Sequence, residues 1–334
     1  MSSDGRHGFS LGADKMNVRV IEPGMLTTVQ DLGRWGFQSQ GVSVAGPMDE
    51  MAHRLANALV RNSKSAATLE MTVVGPELEF EDERVVAIGG CEFDVTVDGC
   101  PVPDGPSTIP AGSRLKFGAR RRGTRAYLAI EGGIAVPPVF GSRATHVASL
   151  MGGFEGRALR AGDRLPLGPI HGSVALRESG RRIAEALAQA GQPASGHATV
   201  RILLVPPGEH FSDDARQRLV AGPYAIGQKS DRMGFRLEGA PLTVTRAAEI
   251  ISGSTPIGTV QVLPSGLPIL LMADRQTIGG YPTIATVITA DLGLAGQLSP
   301  GDTISFVTCS RADALAALIA RERALLAIER QETT

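Results

Sequence analysis

From Ala273 to Pro282 the chain reads ADRQTIGGYP, leaving the apolar run Leu267 to Met272 with a carboxylate, a guanidinium, an amide, a hydroxyl and a phenol in one short stretch. A plain hairpin loop needs none of these groups. Asp274 offers a base or a metal-side carboxylate, Arg275 an anion donor, and Gln276, Thr277 and Tyr281 neutral hydrogen-bonding groups. Gly279-Gly280 would let backbone approach a ligand closely. Such a set suits binding and activating a small anion or amide.

Two further clusters carry related groups. Ser230-Asp231-Arg232 runs into Met233-Gly234-Phe235-Arg236, putting two guanidiniums and a carboxylate within one turn. It reads either as an ion pair that locks a loop or as an anion clamp, because the planar arginine fork binds carboxylate or phosphate with two parallel bonds. Near the start, Thr27 to Arg34 reads TTVQDLGR directly after a Pro-Gly turn. There Thr28, Gln30 and Arg34 reach one side while Val29 packs inward, with a capped turn as the simpler reading.

Other signals carry less. Gly222 to Ser230 imitates a phosphate loop, but one extra residue precedes Lys229 and Pro223 spoils the backbone cradle. Cys91 follows Gly89-Gly90 on an apolar strand with no histidine nearby and reads as a buried small residue. The six histidines form no HxH or HExxH, and His53 reads as a helix-surface residue. Cys91, Cys100 and Cys309 show no CxxC, so neither a zinc site nor a disulfide framework is expected, and a reducing cytoplasm fits best. No GxSxG elbow occurs.

These clusters need a scaffold, and the composition points to one rich in β-structure. The 334 residues suffice for two domains; 41 glycines and 21 prolines with only 4% aromatic residues imply short strands between tight turns. A net charge of -1 excludes a nucleic-acid footprint, and no apolar run is long enough to span a bilayer. The first fifteen residues lack the apolar core of a signal peptide and read as a disordered leader.

Strands are expected at Asn17 to Ile21, Val85 to Ile88, Phe93 to Val97, Arg114 to Phe117 and Arg125 to Ile130. In the second half they are expected at Val200 to Val205, Leu242 to Val244, Gly258 to Val262, Ile269 to Met272, Thr286 to Thr289 and Thr303 to Val307. Met51, Leu55 and Leu59 mark a helix within Pro47 to Arg61, with Asp49 and Glu50 at its positive end. Ile183 and Leu187 mark a short linking helix, and Leu315, Leu318, Ile319, Leu325 and Leu326 a C-terminal one that covers a surface.

The halves also look alike. Asp-x-Met-x-x-Arg-Leu occurs at Asp49 to Leu55 and at Asp231 to Leu237; Pro23-Gly24 and Pro207-Gly208 precede the copies, and strands opened by Gly112 and Gly301 follow. The expected architecture is mainly β: two barrels from an internal duplication, spanning 16–168 and 200–308, joined by a linker over 169–199 and followed by a helical segment over 309–334. In the matching position of the first half, a strand ending at Ile88 to Glu92 is poor in cations.

PGMLTTVQDLGRWG, SDRMGFRLEG, GTVQVLPSGLPILLMADRQTIGGYPTIATVITADL and QLSPGDTISF resemble the allophanate hydrolase subunit 2 family, also called the biotin-dependent carboxyltransferase family, from about Met16 to Val307. Its members include the third subunit of prokaryotic 5-oxoprolinase, the nearest in pattern, and the carboxyltransferase part of urea carboxylase. The resemblance implies cyclophilin-like barrels and a heteromeric complex. The implied partners are a kinase-inhibitor-like protein related to allophanate hydrolase subunit 1 and a LamB/YcsF-type first subunit. It further implies ATP with Mg²⁺ as the energy source for opening 5-oxoproline, or a related amide or lactam, to glutamate. No Met-Lys-Met is present to carry covalent biotin, and the Ser-Ser-Lys amidase signature is absent.

Under this resemblance Asp274, Arg275, Gln276 and Tyr281 are the catalytic candidates, and Ser230, Arg232, Thr277, Gly279 and Gly280 the substrate- or anion-binding ones. Asp231 and Arg236 hold the clamp, while Gln30, Asp31 and Arg34 face the same cleft or the partner. Alternatives are carboxyl transfer to a urea-like substrate from biotin in trans, and a non-catalytic subunit that sequesters its kinase-inhibitor-like partner.

Overall fold

The structure is a computed structural model that describes residues 17–170, 172, 178–206, 210–245 and 252–330. The expected leader and the second Pro-Gly turn, Pro207-Gly208, lie outside the described residues.

The first half contains β1 (Asn17–Glu22), β2 (Leu26–Gln30), α1 (Glu50–Leu59), β3 (Thr68–Thr72), β4 (Glu77–Phe80), β5 (Arg84–Val97), β6 (Cys100–Pro101), β7 (Ser107–Ile109), β8 (Arg114–Ile130) and β9 (Arg164–Pro166). Its strands form one nine-stranded sheet in the order β2-β3-β8-β4-β1-β9, with β5 beside β8 carrying β6 and β7. Alternation builds the core: Val18, Val20, Val29, Leu69, Met71, Leu78, Phe80 and Leu128 are all buried in one cluster. Full burial of such a side chain contributes about 1.5 to 3 kcal/mol.

The second half contains α2 (Glu178–Ala190), β10 (His197–Leu204), α3 (Asp213–Ala221), β11 (Tyr224–Ile226), β12 (Gly234–Glu238), β13 (Gly253–Ser254), β14 (Thr259–Val262), β15 (Pro268–Leu271), β16 (Ile278–Gly279), β17 (Thr283–Val287), α4 (Leu292–Gly296), β18 (Thr303–Thr308) and α5 (Arg311–Glu329). Seven of these strands close a barrel, β10-β17-β14-β15-β12-β11-β18, in which β10 and β18 run parallel and the other pairs antiparallel. Val200, Ile202, Phe235, Val260, Leu270, Ile304 and Phe306 fill it. The chain is thus mainly β with few helices: the second half is a closed barrel, whereas the first, expected to be a barrel as well, is a half-barrel sheet.

Several local expectations change. The strands expected at Val85 to Ile88 and Phe93 to Val97 are one strand, β5, whose register slips between Gly90 and Val95; bulges absorb residues that look like a break. The strand expected to end at Ile88 to Glu92 therefore runs on. In the same way β8 joins Arg114 to Phe117 with Arg125 to Ile130. Leu242 to Val244 is not a strand; Val244 makes only an isolated bridge to Phe211. Thr286 to Thr289 shifts to β17, and Thr289 begins a 3-10 turn.

The repeated heptapeptide is not one structural feature. Its first copy opens helix α1, with Asp49 as N-cap, whereas its second turns into strand β12. His53 is wholly buried, with Nδ1 at 2.9 Å from the Thr68 hydroxyl, because the face of α1 that carries it lies against the sheet. Burial pushes its pKa down to about 4. A Cβ on Gly89 would sit 2.3 Å from the Ala52 carbonyl oxygen, so glycine is what lets α1 lie directly on β5. Helix α5 covers a surface only through its C-terminal half: Leu325 and Ile328 are buried, while Leu315 and Ile319 are exposed.

Candidate functional site

The site begins with an alternation that runs opposite to the usual one. Across β2, β3 and β8, Thr28 pairs with Glu70 and Glu70 with Tyr127, while Thr72 pairs with Arg125. These side chains share the face opposite Val29, Leu69, Met71 and Leu128. An outer sheet face would ordinarily meet water. Here Thr28, Gln30, Thr68, Glu70, Arg125 and Tyr127 are buried, so nearly every polar atom must find a partner inside the protein.

Glu70 is the centre of that face. One carboxylate oxygen accepts from Tyr127 Oη at 2.7 Å and from the Met48 amide at 2.9 Å; the other accepts from Arg232 Nη1, which arrives from the second half. Arg232 also grips Asp274 with two parallel bonds, Nε to Oδ2 at 2.9 Å and Nη2 to Oδ1 at 3.0 Å, and donates to the Gly46 carbonyl at 2.5 Å. Burial alone would lower the Arg232 pKa, but Asp274 and Glu70 outweigh it and raise the value, so the cation is held charged. Tyr127 moves well up through burial and the neighbouring Glu70 and Asp49 charges, so its hydroxyl stays protonated as a donor.

A second strand of the network crosses the same junction. Asp49 caps α1 through the Ala52 amide at 3.0 Å and accepts from Gln297 Nε2 at 2.9 Å. Gln297 Oε1 in turn accepts from the Thr124 and Arg125 amides, and Arg125 Nη1 donates to the carbonyls of Gly296 and Leu298 at 2.5 and 3.1 Å. Burial raises the Asp49 pKa and lowers that of Arg125. The two halves are therefore joined by charge and hydrogen bonds as well as by apolar packing.

Two more guanidiniums sense Asp274 without forming an ion pair with it. Arg34 is 1% exposed and donates through Nη2 to Ala144, while Nε and Nη1 have no partner. Arg275 donates to the carbonyls of Thr255, Met272 and Ala273 at 2.7, 3.4 and 3.5 Å. Burial lowers the pKa of both; the charges of Asp31 and then Asp274 offset part of it at Arg34, and that of Asp274 at Arg275. Three cations around one gripped carboxylate make a site suited to stabilising negative charge on a small bound group.

Over residues 40–308 the chain matches the carboxyltransferase domain, subdomains A and B. It belongs to that family. The chain is 39% identical over 301 residues to the third subunit of 5-oxoprolinase from Escherichia coli, covering 90% of this chain and 94% of that one. It is 34% identical over 298 residues to the corresponding 5-oxoprolinase subunit of Haemophilus influenzae, covering 89% and 93%. The crystal structure of the Kluyveromyces lactis urea amidolyase superposes with a TM-score of 0.86 at 28% identity over 97% of this chain, which spans 21% of that longer one.

In this carboxyltransferase-family chain the residues singled out from the sequence divide into three groups. Arg232, Asp274 and Arg34 come together at the junction, and Ser43 Oγ ties the Arg275 carbonyl to the first half at 3.2 Å. Gln30 stands on the same polar face, donating to Thr28 and to the Thr145 carbonyl at 3.0 and 3.1 Å, with Oε1 unpartnered. Asp31 is spent on the loop beside it, accepting from the Gly33 amide at 2.9 Å, Ser142 Oγ at 2.6 Å and the Arg143 amide at 2.5 Å.

The second group lies outside the network. Asp231 is exposed and turns its own backbone by accepting from the Met233 amide at 2.8 Å, and Ser230 Oγ accepts from the Arg236 amide at 3.0 Å. Arg236 is exposed on β12, and neither it nor Asp231 touches the Arg232 guanidinium, so the pairing expected within the clamp is supplied instead by Glu70 and Asp274. Glu70, Tyr127 and Gln297 were not foreseen, and Asp49 was read only as the start of α1, where it is the N-cap; the missed signal was a lone glutamate between Leu69 and Met71 in a strand.

The third group turns away from Asp274. The Gln276 side chain is exposed, and its carbonyl accepts from Thr255 Oγ1; the Thr277 carbonyl accepts from the Thr255 amide at 3.2 Å. A Cβ on Gly279 would lie 2.8 Å from Gln261 Nε2 and from Thr255 Cγ2, so that close approach is used by the protein's own side chains. Gly280 and Tyr281 line a separate cavity of about 510 Å³ with Leu242, Val244, Val262 and Arg218. Cys91 is buried, and its thiol is pushed up to about 12 by burial, which leaves it inert at neutral pH. Among the described residues no helix is long and apolar enough to cross a membrane.

Proposed function

We propose that the chain is the third-subunit component of an ATP-dependent 5-oxoprolinase-type complex that opens 5-oxoproline, or a related lactam, to glutamate. The observation that carries the reading is the 39% identity to the third 5-oxoprolinase subunit of Escherichia coli across 94% of that protein, joined to a buried cluster of Arg34, Arg232, Arg275 and Asp274. An unstrained amide resists attack until negative charge on its oxygen is stabilised, and preorganised buried cations supply such stabilisation. In this reading Arg34 and Arg275 face the developing charge, while Arg232 fixes Asp274 for a role as base or as electrostatic partner.

Asp274 is not free to hold Mg²⁺, because its carboxylate is already gripped by Arg232. Among the described residues no three His, Cys, Asp or Glu side chains are grouped to hold a metal ion, and both Asp274 oxygens already accept from Arg232. In this reading ATP with Mg²⁺ is used by the assembled complex, whose companion subunits are a LamB/YcsF-type protein and a kinase-inhibitor-like protein, in the cytoplasm. Mixing the three purified subunits should give ATP hydrolysis that depends on 5-oxoproline and yields glutamate. Assembly without such turnover would leave a regulatory role instead.

A second reading follows from the close superposition on the urea amidolyase of Kluyveromyces lactis. The same cations would serve carboxyl transfer to a urea-like substrate from biotin on another chain. Turnover that requires a carboxylated biotin carrier, and not 5-oxoproline, would select it.

A further inference from the structure

The cavity of about 510 Å³ lies at the end of the closed barrel away from the junction, and the proposed chemistry does not use it. Strands β12 and β15 run antiparallel, with Gly234 opposite Leu271 and Arg236 opposite Ile269, so Arg232 and Asp274 leave the barrel at one end. Val262 at the close of β14, Gly266 in the turn to β15 and Pro282 just ahead of β17 stand at the other, and all three line the cavity. Its size falls within the range of about 300 to 1,000 Å³ usual for a small-molecule site, and the mouth of a barrel is a common place for one.

Walls built from loops ordinarily present backbone N–H groups that need partners. Here Pro241, Pro264 and Pro282 have none to present. The amides of Val262, Leu242, Gly266 and Leu263 are spent on the carbonyls of Pro282, Gly266, Leu263 and Leu267. Leu242 and Val262, each 1% exposed, make the buried apolar side, and Tyr281 adds a phenol ring that is 46% exposed. Arg218 is the one charged residue among the described residues that line the cavity. From α3 it bonds Asp214, one turn back, through Nε at 2.7 Å, with both side chains more than half exposed. An exposed pair of this kind contributes little, and neither Nη of Arg218 is used in it. The end of the guanidinium is therefore open to a carboxylate, which it can hold with two parallel bonds.

We infer that this cavity binds a small monocarboxylate with an aromatic body, its ring packed among the prolines, Leu242, Val262 and Tyr281 and its carboxylate on the Nη atoms of Arg218. A neutral ligand would leave the cation unused. A polar body such as a lactam would set its N–H and C=O against a wall without backbone partners, which costs binding. The site is thus separate from the one proposed for the reacting amide and does not rest on that reading.

The test titrates 2-naphthoate and its neutral counterpart 2-naphthamide against the purified full chain by saturation-transfer NMR. Wild type should bind 2-naphthoate at least about fivefold more tightly than the amide, the scale of a charge-assisted contact at a partly exposed rim. Arg218→Gln should erase that preference, Thr243→Trp should weaken both probes by occupying the cavity, and 5-oxoproline should displace neither. Absence of saturable binding at millimolar 2-naphthoate overturns the inference, as does equal affinity of wild type for the two probes. Unchanged 2-naphthoate binding by folded Arg218→Gln, or its displacement by 5-oxoproline, also overturns it by placing the anion elsewhere. The wild-type comparison needs no variant to fold, and no arm depends on turnover by the assembled complex.

Discussion

Arg232 answers one carboxylate from each half, Glu70 and Asp274, and this doubly paired guanidinium is the residue on which the site depends. Removing one partner of a buried pair strands the other charge, which costs about 3 to 5 kcal/mol. Glu70→Gln keeps the shape and loses the charge, and we expect about 3 kcal/mol of lost stability in urea unfolding. A second residue-scale prediction concerns pH. His53 is neutral in the fold with a pKa near 4 against an ordinary 6.5, so the unfolded chain binds more protons between those values and stability falls as pH drops through them. Asp49, raised by burial, works in the opposite direction, so the effect is read by difference. Relative to His53→Gln, wild type should lose about 2 kcal/mol between about pH 7.5 and about pH 5 in urea titrations. At this scale the sequence exposed Arg34, Arg232, Asp274 and Arg275 by type and crowding. It hid Glu70 and Tyr127, because a polar side chain on a strand reads as solvent-facing until another half of the molecule is known to cover it.

Helix α1 links that polar face to the rest of the chain, and Arg54 links α1 to α5. The Arg54 side chain is 4% exposed and reaches Glu322 at 2.8 Å and Glu329 at 3.1 Å, with Glu50 at 3.4 Å. Since the N-terminal half of α5 buries no large side chain, these ion pairs, the Arg321 bond to the Thr289 carbonyl at 2.8 Å and the Leu325 and Ile328 contacts hold it. Arg54→Ala should therefore raise hydrogen exchange throughout 311–329 while the barrel strands keep their protection. Unchanged exchange there would assign the anchoring to the apolar contacts and the Arg321–Thr289 bond. Asp49→Ala should cost about 1 to 2 kcal/mol for the lost cap, more where Gln297 is left unpaired, measured by thermal unfolding. Elements were readable where a single period ruled: Met51, Leu55 and Leu59 gave α1, and alternating Val18, Val20 gave β1. They were misread where bulges interrupt β5, and where the same heptapeptide begins a helix in one half and a strand in the other. Local pattern does not decide between those outcomes; the surface each segment must cover does.

On the scale of the whole molecule, the half-barrel sheet and the closed barrel meet across a polar seam rather than a purely apolar one, which binds them into a single chemical unit. The mainly β character was legible from the many glycines and prolines and the few aromatic residues, and the long motifs pointed to the carboxyltransferase-domain family that the chain belongs to. The location of the site was only half legible: the stretch from Asp274 supplies its first two residues to the seam, whereas Tyr281 lines a cavity elsewhere. The account's central claim is that the seam around Asp274 is the reactive centre of a 5-oxoprolinase-type complex. The most direct measurement is 5-oxoproline-dependent ATP hydrolysis by the reconstituted complex carrying Asp274→Asn, with assembly checked by size-exclusion chromatography. A loss of at least about 100-fold in an intact complex is the predicted result, and a loss below about tenfold would contradict the claim.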